Sequence, residues 1–273
     1  MRWMREHKLM AAGFLILGAL ILSAVFVPVF SPYTYFAQNS GLQNLRASAT
    51  HLFGTDKFGR DLFVRVWYGT RISLTVGIGS ALINGIVGIL WGGAAGLSQG
   101  KVDMLLMRIA DILDSIPSLL YVILIMLALG ANVGSILLGI CISGWVELAR
   151  IVRGEVMRQK DRDFCTAARL AGASPLRILF CHLLPNASGP IIVNLTFMIP
   201  KAIFTEAFLS FVGVGIAAPA ASLGTLISDA RSQMQVYPSQ MLFPTAVLCI
   251  LIFALHLIGA GLEQGVDSHE KGV

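Results

Sequence analysis

Residues 161–187 read DRDFCTAARLAGASPLRILFCHLLPNA. The stretch is too polar to cross a bilayer, yet it is patterned as two short helices. Phe164 to Ala171 contains good helix formers, and Gly172 sits where a left-handed C-cap is needed. Ser174 followed by Pro175 reads as an N-cap and a first-turn proline. Leu176, Leu179, Phe180 and Leu183 follow at helical spacing, and Pro185 is expected to end the run. The spacing predicts a helix, a tight turn and a helix. Ala167, Ala168 and Gly172 give it a smooth face that another protein could approach closely.

The chain around this stretch is apolar. Of 273 residues, 56% are hydrophobic and 13% charged, against roughly 25% charged in soluble domains. That excludes a soluble globular protein, and it excludes disorder, which needs low hydrophobicity. The apolar residues fall in blocks of about 20, the length that crosses a bilayer as a helix. Six spans are predicted, at 9–30, 72–97, 104–129, 133–150, 188–213 and 241–261. No small-x-small cleavage site follows the first, which reads as an uncleaved membrane helix. Between the spans lie a long loop 31–71, turns near 98–103 and 130–132, a basic segment 151–187 and a polar loop 214–240. The expected units are 1–71 (tip, first helix and outer loop), a core membrane domain 72–262 that includes 151–187, and a tail 263–273.

The net charge of +5 bears on topology rather than on nucleic acid. With both termini in the cytoplasm, thirteen of the 20 Lys/Arg fall on the inner side, six on the outer, and Lys201 within a span. The positive-inside rule favours that orientation. Seven of the 20 lie between Arg150 and Arg177. The four cysteines show no CxxC pair, and Cys165 and Cys181 are expected to stay reduced thiols. The five histidines form no ligand-spaced cluster, so no metal site and no cofactor are expected. Glycines crowd the second span, at Gly85, Gly88, Gly92, Gly93 and Gly96, where small residues let helices approach closely. Pro117, Pro190, Pro200 and Pro244 are placed to kink spans.

Three separated motifs carry a resemblance. Ala167-Ala168-x-x-x-Gly172, followed by Leu184-Pro185, resembles the cytoplasmic coupling motif of ABC importer permeases; Thr166 stands where that motif has an acidic residue. Phe53-Gly54-Thr55-Asp56-x-x-Gly59-Arg60-Asp61, with Arg65, Gly69 and Arg71, resembles the segment before the second span in permeases for oligopeptides, dipeptides and nickel. Ile203 to Gly215, with Ala221-Ser222-Leu223-Gly224 and Ser228-Asp229-Ala230, is similar to their fifth span and following loop.

The resemblance implies an all-α membrane protein of the type I ABC importer permease fold, five core helices preceded by one N-terminal helix. It implies a second homologous permease subunit, two ATPase subunits that bind ATP and Mg, and an extracytoplasmic substrate-binding protein, in a bacterial or archaeal plasma membrane. Loop 161–187 would seat in the ATPase and pass its movement to the helices. The substrate would be an oligopeptide or dipeptide, with nickel or a nickel chelate as the alternative. The tail departs from the family pattern: His256, Ala260 and Glu263 replace its Asn, Asp and Arg.

The chain carries no ATPase site of its own. Its only Gly-Lys, Gly100-Lys101, lacks the rest of a phosphate loop. Arg108, Asp111 and Asp114 share a helix face and would form either a gate or a static ion-pair network. Lys201 and Glu206 are five apart and are expected to point to different faces. The Gly/Asp-rich stretches of loop 31–71 read first as turns. A surface helix 61–71 packed over the bundle is expected after them, and a contact with the binding protein is a further reading. A basic loop lying on anionic lipid would not explain the Ala-Ala-Gly and Leu-Pro spacing. Ser143-Gly144 and His256-x-x-Gly259 are similar to the serine–histidine pair of rhomboid proteases, but Cys141 replaces a required glycine and the two sit at different depths, so no catalytic residues are expected. A secondary transporter or channel finds no proton relay or selectivity filter here.

Overall fold

The computed structural model describes residues 2–98 and 100–271, with side chains for 8–98 and 100–266. The side chains of Arg2, Arg5, His7, His269 and Lys271 lie outside the described residues. The elements are α1 (Arg2–Phe30), α2 (Leu62–Leu97), α3 (Lys101–Asp114), α4 (Ser118–Leu129), α5 (Val133–Ser143), α6 (Val146–Gln159), α7 (Asp163–Leu170), α8 (Pro175–Ile178), a π-helical turn Leu179–Leu183, α9 (Leu184–Asn186), α10 (Ser188–Val212), α11 (Leu223–Arg231) and α12 (Ser239–Lys271). Among the described residues five stretches are long and apolar enough to span a bilayer, and α3 with α4, a pair bent by 72°, passes the same test together. Large apolar side chains such as Leu15, Phe30, Leu82 and Leu127 stand exposed on the outside, as a lipid-facing surface requires.

The structure departs from the predicted spans in four places, each with a local cause. No surface helix covers 61–71; that stretch is the first part of α2. Asp61 caps it by accepting from Val64 N at 2.9 Å, and no proline interrupts it before Leu97. The third span is broken. Pro117 has no N–H and disfavours helix in the residue before it, so α3 stops at Asp114 and α4 restarts at Ser118. Ser115 Oγ and Tyr121 Oη donate to the carbonyls of Ile112 and Leu113, at 2.7 and 3.0 Å. The fourth span continues past residue 150 to Gln159, with a step at Gly144–Trp145. The polar loop 214–240 contains the buried helix α11, started by a capping box between Ser222 and Thr225.

α2 is the central post. Gly88, Gly92 and Gly96 form a groove into which α6 settles, and a Cβ on Gly92 would lie 2.3 Å from the Ala149 carbonyl oxygen. α1 lies along α12 and against α2. Pro28 removes the helical donor that the Ala24 carbonyl would use, and Arg71 of α2 supplies one at 3.1 Å. Glu206 of α10 is fully buried and accepts from Ser73 Oγ of α2 at 3.0 Å and from Ser210 Oγ at 2.8 Å. That carboxyl joins α2 to α10 beside the start of α11, where Leu223 N donates to Ser73 Oγ at 3.4 Å.

Candidate functional site

At the end of the bundle where α1 begins and α12 finishes, α7 and α8 form a projecting corner. Gly172 takes φ +83°, and a Cβ there would meet nothing within 4 Å, so the left-handed turn alone favours glycine. Ser174 Oγ accepts from Arg177 N at 3.3 Å, with Pro175 in the first turn. The apolar residues of the corner divide into two sets. Cys165, Ile178, Leu179 and Leu183 are buried, whereas Leu170 is 85% exposed and Leu176 65%. Thr166, Ala167 and Gly172 are also on the outside, while Ala168 is half-buried against the core beneath. The predicted small-residue face is therefore split by Ala168. Burial pushes the Cys165 thiol above its ordinary range.

Pro185 does not end the second helix. The π turn at Leu179–Leu183 shifts the bonding, with Leu184 N donating to Leu179 O, and Pro185 then falls in the first turn of α9, where its missing donor costs little. Leu184 is half-buried and Pro185 exposed.

The corner is rooted in three spans. Its buried residues share one cluster with Leu148, Val152 and Val156 of α6, Ile191 and Met198 of α10, and Ala81 of α2. Lys160 Nζ donates to Gly96 O at 3.3 Å, and Arg169 to Lys160 O at 2.6 Å.

Beside this root the charges pair across helices. Arg150 of α6 donates to Asp111 at 3.0 Å and to Asp114 at 2.8 Å. Arg153 Nε and Nη2 donate to the two carboxylate oxygens of Asp103, both at 2.6 Å. Of the predicted trio, Asp111 and Asp114 are thus brought together by Arg150, and Arg108 makes no ion pair among the described residues. Lys201 and Glu206 do not pair with each other. Lys201 Nζ donates to Glu147 Oε2 of α6 at 2.8 Å. Glu147, Arg150, Arg153 and Asp103 were not singled out from the sequence, because their partners lie 36 to 54 residues away.

Between the α3–α4 break, the α5–α6 step and α10 lies a cleft of about 160 Å³, lined by Asn84, Asp114, Ser118, Ser143, Glu147, Lys201 and Thr205 among others. Ser143 belongs to this cleft. His256 is on α12, where Nδ1 meets its own helix at Ile252 O, 2.9 Å away. The structure does not bring the two together as a catalytic pair.

At the opposite end, the Gly/Asp-rich motif folds into a buried knot. Asp56 accepts from Arg60 Nε at 2.6 Å and from the backbone of Phe58 and Arg60. Arg60 and Arg65 both reach Asp229 of α11, at 3.4 and 3.8 Å. His51 Nδ1 lies 2.8 Å from Asp61 Oδ2, and Gln240 of α12 donates to Asn44 Oδ1 and Thr55 O. The motif's turn reading holds, and its charges fasten the loop to α11 and α12.

Comparison with known proteins agrees with this architecture. Residues 87–268 match the binding-protein-dependent transport system inner membrane component family, and residues 1–47 the N-terminal TM domain of oligopeptide transport permease C. The oligopeptide transport system permease protein OppC of Bacillus subtilis (strain 168) is 43% identical over 96% of this chain and 86% of its own length. The dipeptide transport system permease protein DppC of the same organism is 42% identical over 97% and 83%. Among solved structures, an inward facing conformation of the MetNI methionine ABC transporter superposes with a TM-score of 0.61 at 18% identity, over 74% of this chain and 96% of that one. At that identity the likeness speaks to the fold alone, the type I ABC importer permease fold. The chain is a multi-pass inner membrane protein, a permease subunit and not an enzyme, and it belongs to the family of binding-protein-dependent transport system inner membrane components.

Proposed function

We propose that this chain is the membrane subunit of an ABC importer for oligopeptides or dipeptides, driven through the corner 161–187. Family membership implies an ATPase subunit and a substrate-binding protein as partners. The finer assembly proposed here has a second homologous permease, two ATPases holding ATP and Mg, and both termini on the cytoplasmic side. Thr166, Ala167, Gly172 and the exposed Leu170 and Leu176 would face the ATPase, with Ala168, Leu184 and Pro185 joining that face to the core. The peptide substrate rests on the 42–43% identity to permeases named for oligopeptides and dipeptides. Nothing in these relatives or in the geometry favours nickel.

The observation that carries the coupling reading is that one helical corner is exposed and apolar outside, while its inner residues share a core with α2, α6 and α10. A docked ATPase that moves this corner moves those helices. Expression with the candidate partners tests it: the chain should copurify with ATPase subunits and support ATP-dependent peptide uptake in proteoliposomes. Uptake that persists without any ATPase would overturn the reading.

A further inference from the structure

We propose that the cleft between α6 and α10 is a peptide-binding station, in which Lys201 exchanges Glu147 for the terminal carboxylate of the peptide. The assignment rests on the peptide reading above. Lys201 stands near the midpoint of α10, and Glu147 stands on α6 one turn before Arg150. Their side chains are 72% and 59% exposed. Charges carried by membrane helices face the bundle interior or a water-filled cavity rather than lipid. Both residues line the cleft, so the pair opens into it.

The lining suits a zwitterionic peptide. Asn84 is 3% exposed and lines the cleft, and its Oδ1 has no hydrogen-bond partner. A buried amide oxygen left unpaired is costly, and a peptide N–H would satisfy it. Ser118, Ser143 and Thr205 add hydroxyls that donate or accept. The peptide carboxylate replaces Glu147 on Lys201, and its ammonium takes Glu147, so no charge is stranded. Met198 lines the cleft and also belongs to the core cluster of the coupling corner. Relative movement of α6 and α10 thus changes the distance between Glu147 and Lys201 directly.

The test uses the assembled transporter in proteoliposomes with its binding protein saturated, and two probes: trialanine and trialanine amide. The unmodified transporter should carry the free acid faster. Lys201→Gln should slow trialanine at least about tenfold, as loss of a hydrogen bond to a charged group predicts, and leave the amide within about twofold. Lys201→Arg, which keeps the charge, should restore the preference. If Lys201→Gln slows both probes equally, or neither, the assignment is overturned. An unmodified transporter that carries neither probe would overturn the peptide reading itself, and the assignment with it.

Discussion

The side chain of Leu179 lies across Gly93: a methyl group on that glycine would meet Leu179 Cδ2 at 2.9 Å. This contact joins the coupling corner to α2, the helix against which α1, α6 and α10 all pack. Gly93→Leu should overpack it, at a cost of about 1–3 kcal/mol. The expected result is a lower melting temperature and less peptide imported per ATP hydrolysed. An unchanged ratio of transport to hydrolysis would show that movement does not pass through this contact.

Leu170 and Leu176 are the most exposed apolar side chains of the corner. Replacing both with Asp should change the stability of the chain itself little, by about 0.5 kcal/mol or less per site. It should abolish copurification of the ATPase, measured by pull-down from detergent extracts. Retained ATPase at wild-type stoichiometry would place the docking surface elsewhere.

Glu206 holds hydroxyls from two helices and is fully buried. A gate that moves charge would need the carboxylate; a structural clasp needs only the hydrogen bonds. Glu206→Gln keeps an acceptor oxygen and should leave uptake within about twofold, whereas Glu206→Ala strands Ser73 and Ser210 at about 1–3 kcal/mol per lost partner. The check is uptake at matched protein level beside thermal stability. A Gln variant that folds but does not transport would give Glu206 a direct role.

Cys165 is buried with its thiol pushed up, and Cys181 is exposed on the same corner. A raised thiol pKa means less thiolate, the reactive form, at any pH below it. In single-cysteine variants, a soluble maleimide at pH 7 should label Cys181 at least about tenfold faster than Cys165, since the buried thiol lacks both access and thiolate. Once the corner opens in denaturant the shift is lost, and the two thiols should label at similar rates. Equal rates in the folded protein would mean that α7 detaches from its core.

Much of the architecture is legible without tertiary information, because it depends on local properties. A run of about 20 apolar residues marks a span whatever it packs against. The turn at Gly172 and the cap at Ser174 arise within five residues, and both appear where expected. The bend at Pro117 was also marked, though its 72° angle was not. Helix ends were less legible. The sequence marks 62–71 as a separate surface helix and 151–159 as part of a basic segment, yet both are continuous with the spans beside them, and Arg65, Arg71 and Arg153 find partners on other elements.

The sequence by itself determined that this is a membrane chain of about six helices with one helix-turn-helix corner outside the bilayer, and its motifs identified the family. Only the tertiary structure decided which charges meet. Lys201 could have reached Glu206 by sequence distance alone, but five residues turn it to another face of α10, towards Glu147. Arg150, absent from the predicted charge group, is the residue that holds Asp111 to Asp114. Pairings across 36 to 54 residues depend on how closely the backbones approach. The glycines of α2 set one such approach, that of α6, and so fix where Glu147 and Arg150 stand for their partners on α10 and α3.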